Sequence, residues 1–415
     1  MNRKLDVYLQ QHLVGNLVQD AHGQITFDYS ETWLKDPAAI ALSHSLPLTK
    51  KHFTKNECRG FFAGILPEEG KREIIAKNLG ISARNDYAML ERIGGECAGA
   101  VTFMPTGIEL PQREDTYRAL TDKELAEILT ALPRRPLMAG DEGVRLSLAG
   151  VQDKIAVHVS EKKISIPVGE SPSTHILKPA IERFEGVVFN EAFCMKLARE
   201  IGMNTAHVET GRVEGIDYLL VERYDRTTAS GAPGASQILK REHQEDFCQA
   251  LGIVPENKYQ AEGGPSLKQC FALVREATSA PVIELQVLLD AVIFNFLIGN
   301  HDAHGKNFSF LYTGGQTRLA PLYDLLSTSY YSELSPKMAM KIGGEYSSAK
   351  ITVKHFEQLA EEAGLAKPMV RRRVPELAEL ILSTMPAVVT DHPVAQAVAK
   401  LIRGNCDRTI GKFKA

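Results

Sequence analysis

One long apolar segment constrains every fold that this chain could adopt. Val282–Gly299 is the most apolar long stretch of the sequence, but Glu284, Gln286, Asp290 and Asn295 interrupt it. A membrane span needs about 20 predominantly apolar residues, so the interruptions favour a helix buried in a protein core. At roughly 150 residues per domain, 415 residues correspond to about three domains. The sequence therefore predicts a multi-lobed protein with no membrane contact.

The charge balance excludes one class of function. The chain has 48 Lys and Arg against 51 Asp and Glu, a net charge of −3, and 44% of its residues are hydrophobic. This composition is typical of a folded globular protein. A non-specific DNA-binding protein would have a strong positive excess. Contact with DNA would need a partner or a local basic run, such as Arg371-Arg372-Arg373 or Lys50-Lys51.

The cysteines and the amino-terminal residues indicate a cytoplasmic protein. None of the six cysteines forms a CxxC pair, so we expect buried, reduced thiols and neither a disulfide scaffold nor a zinc ribbon. The first residues, Met1–Asp6, are followed by polar and alternating residues, so the sequence predicts no signal peptide. The cysteines stand at Cys58, Cys97, Cys194, Cys248, Cys270 and Cys406.

Hydrophobic periodicity divides the first half of the chain into strand-rich and helical parts. Alternation over residues 4–30 predicts a small β-meander, and the pattern over 54–92 predicts helices. From about 144 to 225 the pattern predicts strands, beginning with Val144–Leu148. Gly94–Gly99 is interpreted as a turn before a strand.

The second half is predicted to be mainly helical. The segment 229–236 is a loop by composition and the best candidate for a lobe boundary. Beyond it, one β-hairpin is predicted, with strands near 308–312 and 317–323 joined by Gly314-Gly315. Helices are predicted at about 242–251, 266–277, 282–299, 353–364, 368–383 and 391–402.

The residues after the apolar helix have the composition of a phosphoryl-transfer site. Asp302 and Asn307 stand in a D-x-x-x-x-N relation, and Asp324 follows at the end of the predicted hairpin. In kinases one carboxylate orients the attacking hydroxyl, while an amide and a second carboxylate hold Mg²⁺ against the phosphates. Mg²⁺ prefers oxygen ligands, which Asn307 and Asp324 can supply.

A kinase also needs a lysine that binds the phosphates. Lys154 and Lys178 both fall at predicted strand positions, and either could be an ordinary surface lysine. The sequence has neither a Walker A motif nor a G-x-G-x-x-G loop. The short segment Ser147–Lys154 could cover phosphates or could be an ordinary hairpin.

The histidines of the same window leave a second interpretation open. His301 and His304 could ligate a transition metal, and His301-Asp302 is similar to the His-Asp pair of metal-dependent phosphohydrolases. That class needs further histidine and aspartate ligands on separate helices, a pattern that the remaining histidines lack. A structural role for His301 near the catalytic loop is the simpler interpretation.

Several blocks of the sequence, in this order, resemble the HipA toxin kinases. The resemblance covers nearly the whole chain, and one block departs from the usual family pattern: where the family often has Asp-Gly-His-Ala-Lys-Asn, this chain has Asp302-Ala303-His304-Gly305-Lys306-Asn307. The blocks are Phe61-Phe62 with Leu66-Pro67, Leu146–Lys154, Thr174–Lys178, Asn190-Glu191, Val221–Arg226, Gln244–Gln249, Asn300–Asn307 and Tyr323-Asp324.

The resemblance implies a fold. HipA proteins are α+β, two-lobed proteins related to protein kinases and phosphoinositide kinases, with a β-rich N-lobe and a mainly helical C-lobe. For this chain it implies an N-terminal subdomain at 1–105, a kinase N-lobe at 106–226 and a helical C-lobe at 227–415.

The resemblance also implies roles for individual residues with ATP and Mg²⁺ as cofactors. Asp302 corresponds to the catalytic base, Asn307 and Asp324 to the metal ligands, and Ser147 to an autophosphorylated serine whose phosphate switches the kinase off. The nucleotide-binding positions would be the covering loop (Ala149, Gly150, Val151, Gln152, Asp153, Lys154), Lys178, the hinge residues Glu222 and Tyr224, and Gln249, His304 and Lys306.

Finally, the resemblance implies partners. The family's antitoxin is a small HipB-like helix-turn-helix protein, which would make most of the contact with operator DNA in a complex that represses the operon. The implied target is an aminoacyl-tRNA synthetase, with glutamyl-tRNA synthetase first among them. The alternative is a catalytically silent co-repressor that only binds the antitoxin.

Overall fold

The computed structural model describes residues 2–108, 110, 115–141, 143–181, 183–229 and 238–414. The predicted boundary loop at 229–236 lies outside these residues except for Ala229. The chain divides into two compact units. The first comprises Met1–Pro179, Gly211–Glu256 and Leu311–Gly314, and the second comprises Ala180–Thr210, Asn257–Phe310 and Gly315–Ala415.

The first unit begins with the predicted β-meander, which is confirmed. Leu5, Val7 and Leu9 alternate along the first strand and are buried, as expected for a sheet with one face in a core. The sheet is antiparallel, and its strands run in the order His52–Phe53, Ile25–Tyr29, His12–Gln19, Arg3–Leu9 and Val101–Pro105.

The helices predicted between residues 54 and 92 are also confirmed. Thr54 and Glu57 form a capping box at the first of them, and Thr121 and Glu124 form another further along the chain. The α-helices of this part of the unit are Glu31–Leu34, Lys55–Gly64, Glu69–Leu79, Asp86–Ile93 and Asp122–Ala131.

A second antiparallel sheet contains the strand that ends at Pro179. Val144–Leu148 was expected to be part of this strand-rich region, but that prediction is wrong. Its residues make only isolated bridges, Val144 to Gly169 and Leu146 to Glu96, so no continuous ladder forms. Five strands of the sheet run in the order Ile216–Glu222, His175–Pro179, Ile155–Ser160, Lys163–Val168 and Thr116–Ala119, and Val208–Val213 is a further strand.

The helix predicted at 242–251 is only half correct. His243–Asp246 is a strand, and the helix is the single turn Phe247–Ala250. Asp246 caps that turn by accepting a hydrogen bond from the N–H of Gln249 at 2.9 Å, and a capping residue has extended backbone. The preceding strands Arg226–Ala229 and Ile238–Arg241 pair with each other.

The second unit is mainly helical, as predicted. Its apolar helix Pro281–Ile298 is the one helix of the described residues that is long and apolar enough to cross a membrane, and 61% of it is buried inside the protein. A buried core helix passes the same test of length and composition. The α-helices are Val187–Glu200, Leu267–Ala277, Pro281–Ile298, Val353–Ala363, Lys367–Val388 and Pro393–Lys414.

The hairpin after the apolar helix is present, and a second one was missed. The predicted strands are Ser309–Thr313 and Gln316–Leu319, separated by Gly314-Gly315. The missed strands, Lys337–Ile342 and Glu345–Ser347, pair with each other. Their signal was present in the sequence: Met338, Met340 and Ile342 alternate before Gly343-Gly344 and are buried.

All six cysteines are buried and none is in a disulfide. The prediction of buried free thiols is therefore confirmed. Burial raises the pKa of the Cys58, Cys97 and Cys270 thiols to about 12, so these groups stay protonated and unreactive at neutral pH.

Candidate functional site

The polar window begins where helix Pro281–Ile298 ends. Gly299 has a left-handed φ of 72°, and its N–H contacts the carbonyl groups of Asn295 and Phe296. Any other residue would be strained at this φ. The side chain of Asn300 folds back onto the helix, because its Nδ2 donates to Asn295 Oδ1 at 2.8 Å. The chain therefore leaves the helix in a fixed direction.

Asp302 lies on the loop that follows this turn. Its N–H donates to Asn300 Oδ1 at 3.2 Å, and its carboxylate Oδ1 accepts a hydrogen bond from Tyr259 Oη at 2.8 Å. The preceding residue fixes the loop from two sides: His301 N–H donates to Thr328 Oγ1 at 2.7 Å, and its carbonyl accepts from Ala339 N–H at 2.7 Å. The exposed carboxylate of Asp302 is thus presented by a well-anchored backbone.

Asn307 and Asp324 lie next to each other. Asn307 Nδ2 donates to Asp324 Oδ2 at 3.0 Å, although the two residues are 17 positions apart. Asn307 Oδ1 accepts from His304 N–H at 3.0 Å, which caps the 3₁₀ turn Gly305–Asn307. The structure therefore brings together the two predicted metal ligands of the second unit.

The donor chemistry of this pair fits Mg²⁺. Proteins usually bind Mg²⁺ through only one or two oxygen-bearing side chains, and waters and phosphates supply the other ligands. One carboxylate and one amide oxygen meet this need. Asp324 also has a positive φ of 59°, a conformation that costs energy in a residue other than glycine and that concentrates at functional sites. Among the described residues no group of three or more His, Cys, Asp and Glu side chains could hold a metal alone.

A residue that sequence reasoning did not place in the site holds the segment of Asp324. Asn190, on helix Val187–Glu200, donates from Nδ2 to the carbonyl of Ser327 at 3.0 Å and accepts from the Ser327 N–H at 2.8 Å. Both residues are fully buried. On the other side of Asp324, the Leu322 N–H donates to the carbonyl of Asn204, and the Leu322 carbonyl accepts from the Ala206 N–H.

Replacing Asn190 by Ala is expected to destabilise the protein by about 2–4 kcal/mol, because the buried N–H and carbonyl groups of Ser327 would both lose their partner. Urea denaturation measures this loss. Asn56, an exposed helical asparagine, provides the control, since its replacement by Ala should change the unfolding free energy by less than about 0.5 kcal/mol. If the Asn190→Ala protein is as stable as the control, the two hydrogen bonds of Asn190 to Ser327 do not stabilise the segment of Asp324.

The histidines of the loop have structural contacts. His301 Nε2 lies 2.9 Å from Ser348 Oγ, and burial lowers the pKa of His301. His304 is buried, and its ring packs edge-on against Tyr259 with centroids 5.3 Å apart. Lys306 is buried as well, and its carbonyl accepts from Tyr323 Oη at 2.7 Å.

The predicted phosphate-binding lysine belongs to the first unit. Lys178 stands on strand His175–Pro179 opposite Leu219 and is only 7% exposed. Lys154 is less buried, and its Nζ donates to the carbonyl of Ala149 at 2.7 Å. Lys154 therefore closes the predicted covering loop on itself, whereas Lys178 is the one of these two candidates that lies on a strand.

Ser147, just before that loop, is fully buried. Its Oγ donates to the carbonyl of Ile65 at 3.0 Å, and its N–H donates to the carbonyl of Glu96 at 2.9 Å. The loop itself is more exposed: Val151 is 42% exposed, and Lys71 Nζ contacts Asp153 Oδ1 at 2.5 Å.

The remaining predicted nucleotide-binding residues also lie in the first unit. Glu222 is exposed at the end of its strand, opposite His175. Tyr224 Oη donates to Gln244 Oε1. Gln249 is buried and its Nε2 donates to the carbonyl of Phe61 at 3.0 Å, so its side chain is used to pack the short helix against Lys55–Gly64.

A buried charged cluster next to these residues was missed by sequence reasoning. Glu96 is fully buried, and its carboxylate contacts Arg223 at 3.0 Å, Arg226 at 2.8 Å and Arg241 at 3.5 Å. Asp225 completes the cluster with bonds to Arg223 and Arg226 at 2.8 and 2.9 Å. The turn interpretation of Gly94–Gly99 gave no sign that Glu96 binds residues some 130 positions away.

The cluster is a stable arrangement of charges. Burial alone would raise the pKa of Glu96, but Arg226, Arg223 and Arg241 lower it to about 2. Glu96 Oε1 also accepts from the N–H and Oγ of Ser173 at 3.0 and 2.7 Å. Glu96 therefore ties together the segment of Ser147, the start of the strand of Lys178, and Arg223 of the predicted hinge.

The basic runs are paired with acidic neighbours. Arg373 makes two bonds to Asp290, at 2.8 and 2.9 Å, and Arg372 contacts Glu376 at 3.2 Å. The remaining pairs are Arg371 with Glu357, Lys50 with Glu57, and Lys51 with Glu31. These pairs neutralise the runs in part, which weakens the case for them as a DNA-binding surface.

Comparison with protein families decides the identity of the chain. Residues 5–104 match the HipA N-terminal domain, and residues 146–385 match the HipA-like C-terminal domain. The chain belongs to the HipA family. The resemblance predicted from the sequence blocks is therefore confirmed.

Two relatives match this chain over nearly their whole length. The chain is 46% identical to "Putative kinase Y4mE" of Sinorhizobium fredii, over 99% of this chain and 98% of the relative. It is 30% identical to the serine/threonine-protein kinase toxin HipA of Shewanella oneidensis, over 98% and 96%.

A solved structure confirms the fold. The Shewanella oneidensis HipA in a complex with HipB and its operator DNA aligns with a TM-score of 0.86 at 28% identity, covering 99% of this chain and 98% of that one. The predicted α+β, two-lobed HipA fold is therefore correct. The predicted domain limits at 105 and 226, and the individual site residues, stay predictions.

Proposed function

We propose that this HipA-family protein is an ATP- and Mg²⁺-dependent serine/threonine protein kinase. The observation that supports this most strongly is the 3.0 Å contact between Asn307 and Asp324, which joins the D-x-x-x-x-N loop of Asp302 to the segment that follows the hairpin. In protein kinases the Asp of such a loop accepts the proton of the substrate hydroxyl. The Asn of the loop and a second carboxylate hold the metal.

In this proposal the residues of the chain have separate tasks. Asp302 accepts the proton of a protein hydroxyl while the bond from that oxygen to the γ-phosphorus forms and the bond to ADP breaks. Asn307 and Asp324 would hold Mg²⁺, which when bound would offset the charge that develops on the phosphoryl group. Lys178 binds the phosphates. The adenine and the remaining phosphates bind at Ala149–Lys154, Glu222, Tyr224, Gln249, His304 and Lys306.

We further propose that the kinase is the toxin of a toxin–antitoxin pair in the cytoplasm. The Shewanella relative is named a kinase toxin, and its structure contains HipB and operator DNA. For this chain we propose a HipB-like antitoxin that makes most of the DNA contact and represses the operon with it. The net charge of −3 fits a protein that reaches DNA through a partner. The proposed target is an aminoacyl-tRNA synthetase, glutamyl-tRNA synthetase first.

Autophosphorylation of Ser147 is proposed as the off-switch. Ser147 is fully buried and its hydroxyl is bonded to Ile65, so its segment must leave this position before the hydroxyl can be phosphorylated. A phosphate adds about −1.5 to −2 charges, which the buried position could not hold without a large desolvation cost. Phosphorylation would therefore keep the segment out and disturb the covering loop.

An assay with γ-phosphate-labelled ATP tests the proposal and separates it from the silent co-repressor. The kinase should label itself in the presence of Mg²⁺, and a Ser147→Ala protein should lose the label at this site. If the wild-type protein labels neither itself nor purified glutamyl-tRNA synthetase and its paralogues, the proposed kinase activity is refuted and the co-repressor is favoured. If the Ser147→Ala protein carries as much label as the wild type, only the proposed autophosphorylation of Ser147 is refuted.

A further inference from the structure

The hydroxyl group of Tyr259 contacts the carboxylate of Asp302. Tyr259 Oη donates to Asp302 Oδ1 at 2.8 Å. Asp302 is exposed, and an exposed carboxylate without fixed donors samples several rotamers in water. A hydrogen bond to one of its oxygens restricts that rotation. Tyr259 lies 43 positions before Asp302, so no local sequence pattern connects the two residues.

Tyr259 is itself rigidly held. Its carbonyl accepts from the N–H groups of Glu262 and Gly264, both at 2.9 Å, which closes the short turn after it. The neighbouring Gln260 accepts through Oε1 from the Lys341 N–H at 2.8 Å. On one side of the Tyr259 ring lies His304, edge-on at 5.3 Å.

A single strand anchors both partners. Strand Lys337–Ile342 bonds to Gln260 through the Lys341 N–H, and to the carbonyl of His301 through the Ala339 N–H at 2.7 Å. The residues next to Tyr259 and next to Asp302 are therefore fixed to alternate positions of the same strand. Two groups held by one rigid element keep their separation, which is how a catalytic geometry is preorganised.

We infer that Tyr259 is a positioning residue, which orients the Asp302 carboxylate for accepting the proton of the substrate hydroxyl. The inference rests on the proposed kinase function. Tyr259 keeps its own proton throughout, and the substrate proton goes to the carboxylate.

The same contact could have the opposite effect. A tyrosine hydroxyl at 2.8 Å from the base occupies a position like that of a substrate hydroxyl, so Tyr259 could block the site. The anchoring of Gln260 and of the Tyr259 carbonyl argues against a plug that must move away. The two roles predict opposite results when the hydroxyl group is removed: the phosphorylation rate falls if Tyr259 positions Asp302, and it rises if Tyr259 blocks the site.

The test compares Tyr259→Phe with the wild type in autophosphorylation, using γ-phosphate-labelled ATP and Mg²⁺. The variant loses only the hydroxyl group. We expect the maximal rate at saturating ATP to fall by about three- to tenfold, since orientation of a general base supplies part of its effect. The ATP concentration for half-maximal rate should stay within twofold. Tyr346→Phe is the matched control and should leave both quantities unchanged.

A double-mutant cycle separates positioning from a general structural role. In the Asp302→Asn background, Tyr259→Phe should change the residual rate by less than twofold, because its effect passes through the carboxylate. A three- to tenfold loss of rate in the Asp302→Asn background would overturn the inference. So would a rate in the Tyr259→Phe single variant that equals or exceeds that of the wild type. A wild type that transfers no label refutes the proposed function and the inference with it.

Discussion

Asp302→Asn is expected to reduce phosphoryl transfer by about 10²–10⁴-fold, the contribution typical of a positioned general acid or base. The amide is isosteric with the carboxylate and can still accept the hydrogen bond of Tyr259 Oη, but it cannot take the proton of the substrate hydroxyl. ATP affinity should stay within about twofold, because Asp302 is proposed to contact the hydroxyl and not the phosphates. Initial rates of label transfer and equilibrium binding of ATP measure the two quantities.

The control for this substitution is Asp391→Asn, at an exposed position on the same unit. It should leave rate and affinity unchanged. If Asp302→Asn phosphorylated as fast as the wild type, another group would be the base, and the role assigned to the D-x-x-x-x-N loop would be wrong.

Glu96→Ala is expected to cause the largest loss of stability, about 3–5 kcal/mol, because it leaves buried guanidinium groups without their shared carboxylate. Three arginines surround Glu96, and Asp225 pairs with two of them, Arg223 and Arg226. Urea denaturation measures the loss, and Glu96→Gln provides a milder variant if the alanine protein does not fold.

The matched control is Glu376→Ala, which removes an exposed carboxylate that pairs with Arg372 at 3.2 Å. Exposed pairs contribute about 0–1 kcal/mol. Equal losses at Glu96 and Glu376 would contradict the role of the buried cluster.

The cluster also has a signature in pH. The pKa of Glu96 is lowered from 4.5 to about 2, so the unfolded chain binds the proton more readily than the folded protein. The stability that Glu96 contributes is fully present above about pH 4.5 and is lost as the pH falls towards 2. The difference in unfolding free energy between the wild type and Glu96→Gln should therefore shrink over this window.

The sequence indicated candidate site residues but not the residues that hold them in place. Asp302, Asn307 and Asp324 stood out because they follow one predicted helix end and one predicted hairpin, where local patterns carry the information. The structure brings Asn307 and Asp324 together, and the roles of all three residues stay predictions. Glu96 could not, because a buried ion cluster is formed by residues far apart in the chain and leaves no periodicity. Tyr259 was missed for the same reason.

Errors in the secondary structure have local causes. Residues 242–251 have helical composition, but Asp246 starts the helix late by capping the Gln249 N–H. Strand Lys337–Ile342 was overlooked although its alternation was visible, and this strand turns out to anchor both Gln260 and His301.

The most direct test of the central claim is the position of the metal. Crystals of the protein grown with Mn²⁺, in place of Mg²⁺, and a non-hydrolysable ATP analogue should give an anomalous peak at about 2.0–2.3 Å from side-chain oxygens of both Asn307 and Asp324. Clear nucleotide density with the Mn²⁺ peak on other residues would contradict the assignment of these two side chains, and with it the proposed phosphoryl-transfer site.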